Sequence, residues 1–268
     1  MPEVTPAGAN QDNALEIFEE IVRLGRYGQP SALATVIASN GSSPRKSGAG
    51  MLVKNDASII GSVGGGSVEQ DVIAVVLEVM RTGAPQLLDF HLTERFGHVC
   101  GGTMHVFIQP NPIEYSLIIA GAGHVGSALV PLARYAGYRV TVIDPREEYA
   151  RPERLPEADL VIADDAALAM ARLAVPPSTA IVIATTDFQQ DFDAVKAALQ
   201  TPAGFIGLIG SKRKKAALEE TLRQAGYPPE QISRITVPVG LDIGAETPRE
   251  IAVSIIAQLI ACRKNNAL

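Results

Sequence analysis

The stretch "LIIAGAGHVGSAL" (117–129) constrains this chain more than any other. Its glycines follow a G-x-G-x-x-G spacing at Gly121, Gly123 and Gly126, directly after an apolar strand-like run and at the opening of a helix-like one. That spacing suits a tight strand-to-helix turn. Gly121 permits the turn, Gly123 lets a pyrophosphate approach the backbone, and Gly126 lets the helix pack closely on the strand. The helix N-terminus then offers unpaired N–H groups and the positive end of its dipole to a phosphate. The next apolar run, "YRVTVID", ends at Asp144, about twenty residues on, where a ribose 2'-hydroxyl would be held and NAD preferred over NADP. His124 sits inside the turn, facing a ligand or the adjoining loop. The alternative is a turn whose glycines serve folding alone, because a fold does not fix a function.

Around this turn the pattern is regular. "YSLIIAG", "YRVTVID", "ADLVIAD", "TAIVIATT" and "FIGLIGS" read as strands, with helices predicted over 165–173, 191–200 and 212–225. Apolar runs alternating with helices belong to a doubly wound parallel sheet. The last helix, "TPREIAVSIIAQLIACRK", has Thr247 as its cap and Pro248 in its first turn. Upstream of the proline-bearing "PNPIEYS" the character differs. An amphipathic helix in "NALEIFEEIVRLGRYG", with Asn13 and Glu16 as a capping arrangement, precedes the strands "SALATVIAS" and "GMLVKNDASIIGSV". The helix "DVIAVVLEVMRTG" and the strands "QLLDFHL" and "TMHVFIQP" follow. The fold class is therefore α/β, a C-terminal Rossmann-like parallel sheet over 111–268 with an N-terminal α+β domain over 1–110.

Composition excludes several functions. Lys and Arg total 23 against 29 Asp and Glu, a net charge of -6, so there is no basic excess for nucleic acid. No apolar run is long enough for a membrane span, no signal-like start is present, and the two cysteines form no disulfide framework. These features predict a cytoplasmic protein.

Three further features suit an anionic ligand. In "GSKRKK", Ser211 would cap a helix whose first turn carries Lys212, Arg213 and Lys214. "GSVGGGSVEQ" places Gly65 and Gly66 at a second glycine-rich turn, with Glu69 positioned to accept from ring nitrogens. "NGSSPRKSG" puts Arg45 on a turn. A solvated helix face and a surface loop are the simpler readings of the basic residues. Cys100, in "VCGG", is either a soft thiolate beside a permissive backbone or a small buried residue beside a bulge. Cys262, on the apolar last helix, is assigned to packing. His91 and His105 fall on strands as ordinary strand residues and offer no metal spacing.

Taken in order, "ATVIASNGSSPRKSGAGMLV", "GSVGGGSVEQDV", "VCGGTMHVFIQP", the glycine fingerprint through "VIDPREEYA", "FIGLIGSKRKKAALEETLRQAG" and "VPVGLDIGAETPREIAVSIIAQLIA" resemble the XdhC/CoxI family over residues 14 to 262. The resemblance implies a chaperone that binds the molybdenum cofactor (molybdopterin), protects it, supports its sulfuration and delivers it to a molybdenum hydroxylase apo-enzyme of the xanthine or carbon monoxide dehydrogenase type. A cysteine desulfurase is the other implied partner, and a homodimer is left open. Many members read Gly-Gly-Cys before the glutamate, whereas this chain has Gly65-Gly66-Ser67-Val68-Glu69, so Cys100 alone carries the sulfur or molybdenum-ligand role. Where the family often has His-Asp-His, this chain has Thr186, Asp187 and Phe188. The contrasting expectation, from the fingerprint alone, is an NAD-dependent oxidoreductase.

Overall fold

The computed structural model describes residues 13–41, 43, 45–92 and 102–264 of the chain. It divides into two compact units, 1–113 and 114–268. Among the described residues no helix is long and apolar enough to cross a membrane.

The first unit is built on a five-stranded sheet in the order β3-β2-β1-β5-β4, with every neighbouring pair antiparallel. The strands are β1 (Ser31–Asn40), β2 (Gly50–Lys54), β3 (Ile59–Gly61), β4 (Gln86–Leu92) and β5 (Gly102–Pro110). Alternation assigns the faces. Ala32, Ala34 and Val36 of β1, Met51 and Val53 of β2, and Met104, Val106 and Ile108 of β5 form one buried layer. Helix α2 (Gly66–Thr82) covers it with Val68, Val72, Val76 and Val79, a stripe at helical spacing. Gly83, in the left-handed region, ends that helix by donating its N–H to the Val79 carbonyl at 2.8 Å.

Helix α1 (Ala14–Arg26) lies on the other face, where Ile17 and Leu24 pack with Leu52 and the partly buried Leu33 and Ile60. Only one of its two apolar stripes is used. Leu15, Phe18 and Val22 stay exposed. The capping arrangement expected at Asn13 and Glu16 is absent, because Asn13 already has helical backbone angles and its side chain makes no cap bond. A turn at Asn55 and Asp56 joins β2 to β3, with the Asp56 carboxylate accepting from the Ser58 N–H and hydroxyl.

The second unit carries a six-stranded parallel sheet in the order β11-β10-β9-β6-β7-β8. Its strands are β6 (Tyr115–Ala120), β7 (Tyr138–Ile143), β8 (Leu160–Ile162), β9 (Thr179–Ile183), β10 (Phe205–Leu208) and β11 (Ile235–Thr236). Alternate residues of β6 feed opposite cores. Leu117 and Ile119 pack with α3 (His124–Tyr135) and α8 (Pro248–Lys264), through Leu129, Val130, Ile255 and Leu259. Ile118 and Ala120 face α5 (Phe188–Leu199) and α6 (Lys212–Gln224), through Val195, Ala198, Leu218 and Leu222. Two short helices, α4 (Ala166–Met170) and α7 (Pro229–Ile232), complete the second unit. The chain progresses outward in one direction from β6 to β8 and then resumes beside β6 at β9. The crevice at such a reversal, outside the carboxyl ends of the strands, is where ligands bind in sheets of this kind.

Helix α1 is held by few buried side chains, so it reports on its own anchorage. Leu24→Ala should cost about 3 kcal/mol in denaturant unfolding, whereas Phe18→Ala should change stability by less than about 0.5 kcal/mol. Equal costs would contradict the one-stripe packing.

Candidate functional site

The carboxyl ends of β6, β7, β9 and β10 bring together the glycine turn, Asp144, the Thr185 loop and Ser211 with Lys212 and Arg213. Sequence reasoning picked most of this edge, but the three fingerprint glycines turn out to have different causes. Gly121 has φ +112°, and a side chain there would run into the Ala184 carbonyl of β9's exit. A Cβ on Gly126 would collide with the Gly121 carbonyl and crowd Ile119. Folding alone accounts for both. Gly123 has φ -69° and ψ -165°, angles open to any residue, and nothing lies within 4 Å of where its Cβ would stand. Neither backbone nor packing demands a glycine there. It is the N-cap of α3, whose first turn contains no acid and begins with the exposed His124.

Asp144 is buried, and both of its oxygens carry donors from this chain. One accepts the Ala122 N–H at 2.8 Å and the Arg146 Nη2 at 2.7 Å. The other accepts from the Arg146 N–H at 3.0 Å and Nε at 2.8 Å. Burial pushes this carboxyl up, but the Arg146 side chain and the two backbone donors outweigh it and hold the group below the usual Asp range. Arg146 in turn lies over the Tyr149 ring, 3.9 Å from its centre. A ribose hydroxyl at Asp144 would have to compete with a bidentate guanidinium, so the geometry gives NAD no support. Asp144 fastens β7 to the glycine turn. Arg146 was not singled out from the sequence, although its place two residues after Asp144 was the available signal.

A second internal pair braces the neighbouring loops. The fully buried Asp191 of α5 accepts the Thr185 hydroxyl at 2.6 Å and is ion-paired with Lys214, which also donates to the Ile209 carbonyl at 3.1 Å. The basic cluster is thereby divided. Ser211 caps α6 by accepting from the Lys214 N–H at 3.2 Å, as expected. Lys214 belongs to the fold and Lys215 pairs with Glu219, whereas Lys212 and Arg213 are exposed without an ion pair among the described residues. No local sequence pattern pointed to the Asp191 pair.

In the first unit, Arg45, Thr35 and Ser62 meet the apolar Ile17, Phe18 and Leu33 around a pocket of about 440 Å³. The two family-like loops thus converge, one through Arg45 and the other through Gly61 and Ser62. Gly64, Gly65 and Gly66 all have positive φ at the start of α2, which accounts for their being glycine. Glu69 accepts the Ser62 hydroxyl at 2.5 Å and the Gly64 N–H donates to that same hydroxyl oxygen at 3.3 Å. His105 pairs across strands with Asp89 at 2.5 Å, and among the described residues no acidic, His or Cys group is arranged to hold a metal. Cys262 is partly buried against the α3–α8 core, and burial raises its thiol above the ordinary range. Cys100 lies outside the described residues.

Two outcomes follow from the glycine turn. Gly126→Ala should destabilise the protein by about 3 kcal/mol or more through overpacking, while Gly123→Ala should cost no more than about 1 kcal/mol. Similar losses in urea unfolding would remove the distinction between the two glycines. Asp144→Asn should cost about 2 kcal/mol at pH 7, discounted from a buried pair because Arg146 is partly exposed. A lowered folded-state value means that the carboxylate's contribution is present above the unfolded value of ~3.9 and lost as pH falls through the folded one. The urea midpoints of wild type and Asp144→Asn should therefore converge in acid, and a gap independent of pH would contradict the assignment.

Comparison with known proteins agrees with the fold. Residues 117–259 match the XdhC Rossmann domain, and residues 25–91 match the XdhC and CoxI family. The chain is 36% identical over 94% of its length to the uncharacterized protein YqeB of Escherichia coli K12 and 34% identical over 62% to a probable xanthine dehydrogenase subunit of Bacillus subtilis 168. It spans about half the length of these two relatives, 47% and 48%. The molybdenum cofactor insertion chaperone PaoD of Escherichia coli K12 is 24% identical over 88% of this chain and 84% of its own. A solved structure, described as a xanthine dehydrogenase from Bacillus halodurans, covers 94% of this chain and 99% of its own at a TM-score of 0.51 and 24% identity, a likeness of fold. With its Rossmann-domain match covering more than half the chain, the protein belongs to the XdhC and CoxI family.

Proposed function

We propose that this protein is a maturation chaperone for molybdenum hydroxylases, and that the molybdenum cofactor is its cargo rather than a resident group. Family membership and the chaperone role carried in the name of the PaoD relative support the class of function. The single observation that carries the reading to a site is Gly123, the one fingerprint glycine that folding does not require. A phosphate of the cofactor resting against its open face would receive the free N–H groups of α3's first turn. Lys212 and Arg213, on the same edge of the sheet, would add charge-assisted contacts.

Within the first unit, Arg45 and Glu69 offer donor and acceptor groups of the kind that the edge of a pterin pairs with. Sulfur chemistry falls to Cys100. Cys262 is a poor candidate, because burial favours its neutral thiol and a soft metal or a sulfur donor requires the thiolate. In this reading a cysteine desulfurase supplies the sulfur that replaces an oxo ligand, the apo-hydroxylase receives the cofactor, and the exchange takes place in the cytoplasm.

An anaerobic titration of the purified protein with free molybdenum cofactor, beside NAD(H) on the same preparation, tests this. Saturable cofactor binding without a response to NAD(H) is expected. Gly123→Val should weaken it at least tenfold, equivalent to about 1.4 kcal/mol, and Cys100→Ser should reduce retention of the sulfurated form. Binding of NAD(H) alone, or full cofactor affinity in a folded Gly123→Val protein, would overturn the site.

A further inference from the structure

Helices α3 and α8 run side by side in the same direction. Their last turns are tied together, since Arg263 of α8 donates to the Ala136 carbonyl at 3.2 Å and lies about 5 Å from the Tyr115 and Tyr138 ring centres. Among the described residues no side-chain hydrogen bond or ion pair ties their first turns. Between them opens a groove of about 720 Å³, within the size range of small-molecule sites. Its apolar surface comes from Ala128, Pro131, Leu132 and Val253, and its polar edge from His124, Ser127 and Arg249.

Three features of this groove leave apolar surface and polar groups open to a ligand. Val253 is 45% exposed, although Ala252 and Ile255 beside it are fully buried. Pro131 stands inside α3, where a proline typically costs about 3 kcal/mol. Having no N–H, it makes no helical bond to the carbonyl of Ser127 four residues back, and both residues line the groove. Arg249 is exposed and makes no ion pair among the described residues, and the residues lining the groove include no Asp or Glu. Thr247 and Glu250 form a reciprocal cap at the start of α8: the Glu250 N–H donates to the Thr247 hydroxyl at 3.3 Å, and the Glu250 carboxylate accepts the Thr247 N–H at 2.8 Å and the Glu246 N–H at 3.0 Å. The charge offered to a ligand is therefore the guanidinium, not the helix end.

We propose that the groove between α3 and α8 is a second ligand site, separate from the phosphate position at Gly123, for a small organic anion with a flat apolar body and an N–H donor. The anion meets Arg249, the body covers Val253 and Pro131, and the donor satisfies Ser127. The site does not depend on the cargo assigned above.

The probe is 8-anilinonaphthalene-1-sulfonate, which has a sulfonate, a flat aromatic body and an N–H, titrated into the folded full chain and followed by fluorescence. One saturable site is expected, at least tenfold weaker in Arg249→Glu and in Val253→Glu and unchanged in Gly123→Val. Both groove substitutions are at exposed positions, and circular dichroism checks that they fold. The uncharged N-phenyl-1-naphthylamine should bind at least tenfold more weakly than the sulfonate. Unsaturable binding, indifference to Arg249→Glu, or equal binding of the neutral probe would overturn the proposal. So would sedimentation showing a dimer that Val253→Glu dissociates, because the groove would then be a contact between copies. Loss of cofactor binding in Gly123→Val with retention of the probe keeps the two sites distinct, and failure of one leaves the other standing.

Discussion

The approach of α3 to the end of β6 governs the second unit. Where Gly126 passes the Gly121 carbonyl there is no room for a single methyl group, and Gly121 is itself pressed against the exit of β9. These contacts set the height of the helix above the sheet. They also fix where the N-terminus of α3 stands, just beyond the carboxyl end of β6, beside which the strand order reverses. Shifting the helix outward by the width of a methyl group would loosen the Leu129 and Val130 packing on Leu117 and Ile119, and with it the anchorage of α8. The turn is at once a packing joint and the frame of the candidate site.

Charge at this edge is arranged to hold the loops rather than to face solvent. Asp144 binds the turn through Ala122 and is neutralised by Arg146, and Asp191 ties Thr185 to Lys214. A buried carboxylate is expensive unless paired and hydrogen-bonded, and each of these is both. The consequence for binding is subtractive. Asp144 is taken up internally, and Lys214 is withdrawn from the basic cluster. What remains for an anion is a smaller set of cations, Lys212 and Arg213, around backbone donors whose positions are fixed by the glycine contacts.

Much of this was legible in the sequence because it is local or periodic. The parallel unit announced itself through apolar runs separated by helices, and Ser211 and Thr247 capped their helices as their residue types suggest. Other features were not, because they depend on partners distant in the chain. Nothing near Asp191 says that Lys214 will meet it, and an aspartate at the end of β7 reads as a ribose ligand until Arg146 is seen closing on it. Helix α1 failed in a third way. Its apolar residues fill two stripes, and only the sheet it meets decides that Ile17 and Leu24 are inside while Leu15 and Phe18 are not. The Asn13 cap was lost for a related reason, since propensity yields to the path by which the chain enters the helix.

The two glycine-rich turns show how far a glycine can be taken as a sign of a ligand. At Gly64, Gly65 and Gly66 the backbone lies where side chains are strained, so their identity is explained before any ligand is considered. At Gly121 and Gly126 packing is sufficient. Gly123 alone is left over when both causes have been removed, with ordinary angles and empty space ahead of it. Gly123 serves α3 as its N-cap, but Ser, Asp or Asn would cap at least as well and raise the entropy of the unfolded chain less, so the bare backbone there needs another reason. The same subtraction applied to α3 leaves Pro131, a helix breaker in a helix that must be straight enough to carry both Gly126 and Leu129 into the core. Two unexplained residues on one helix, facing different spaces, are the physical ground for treating the turn and the groove as separate places.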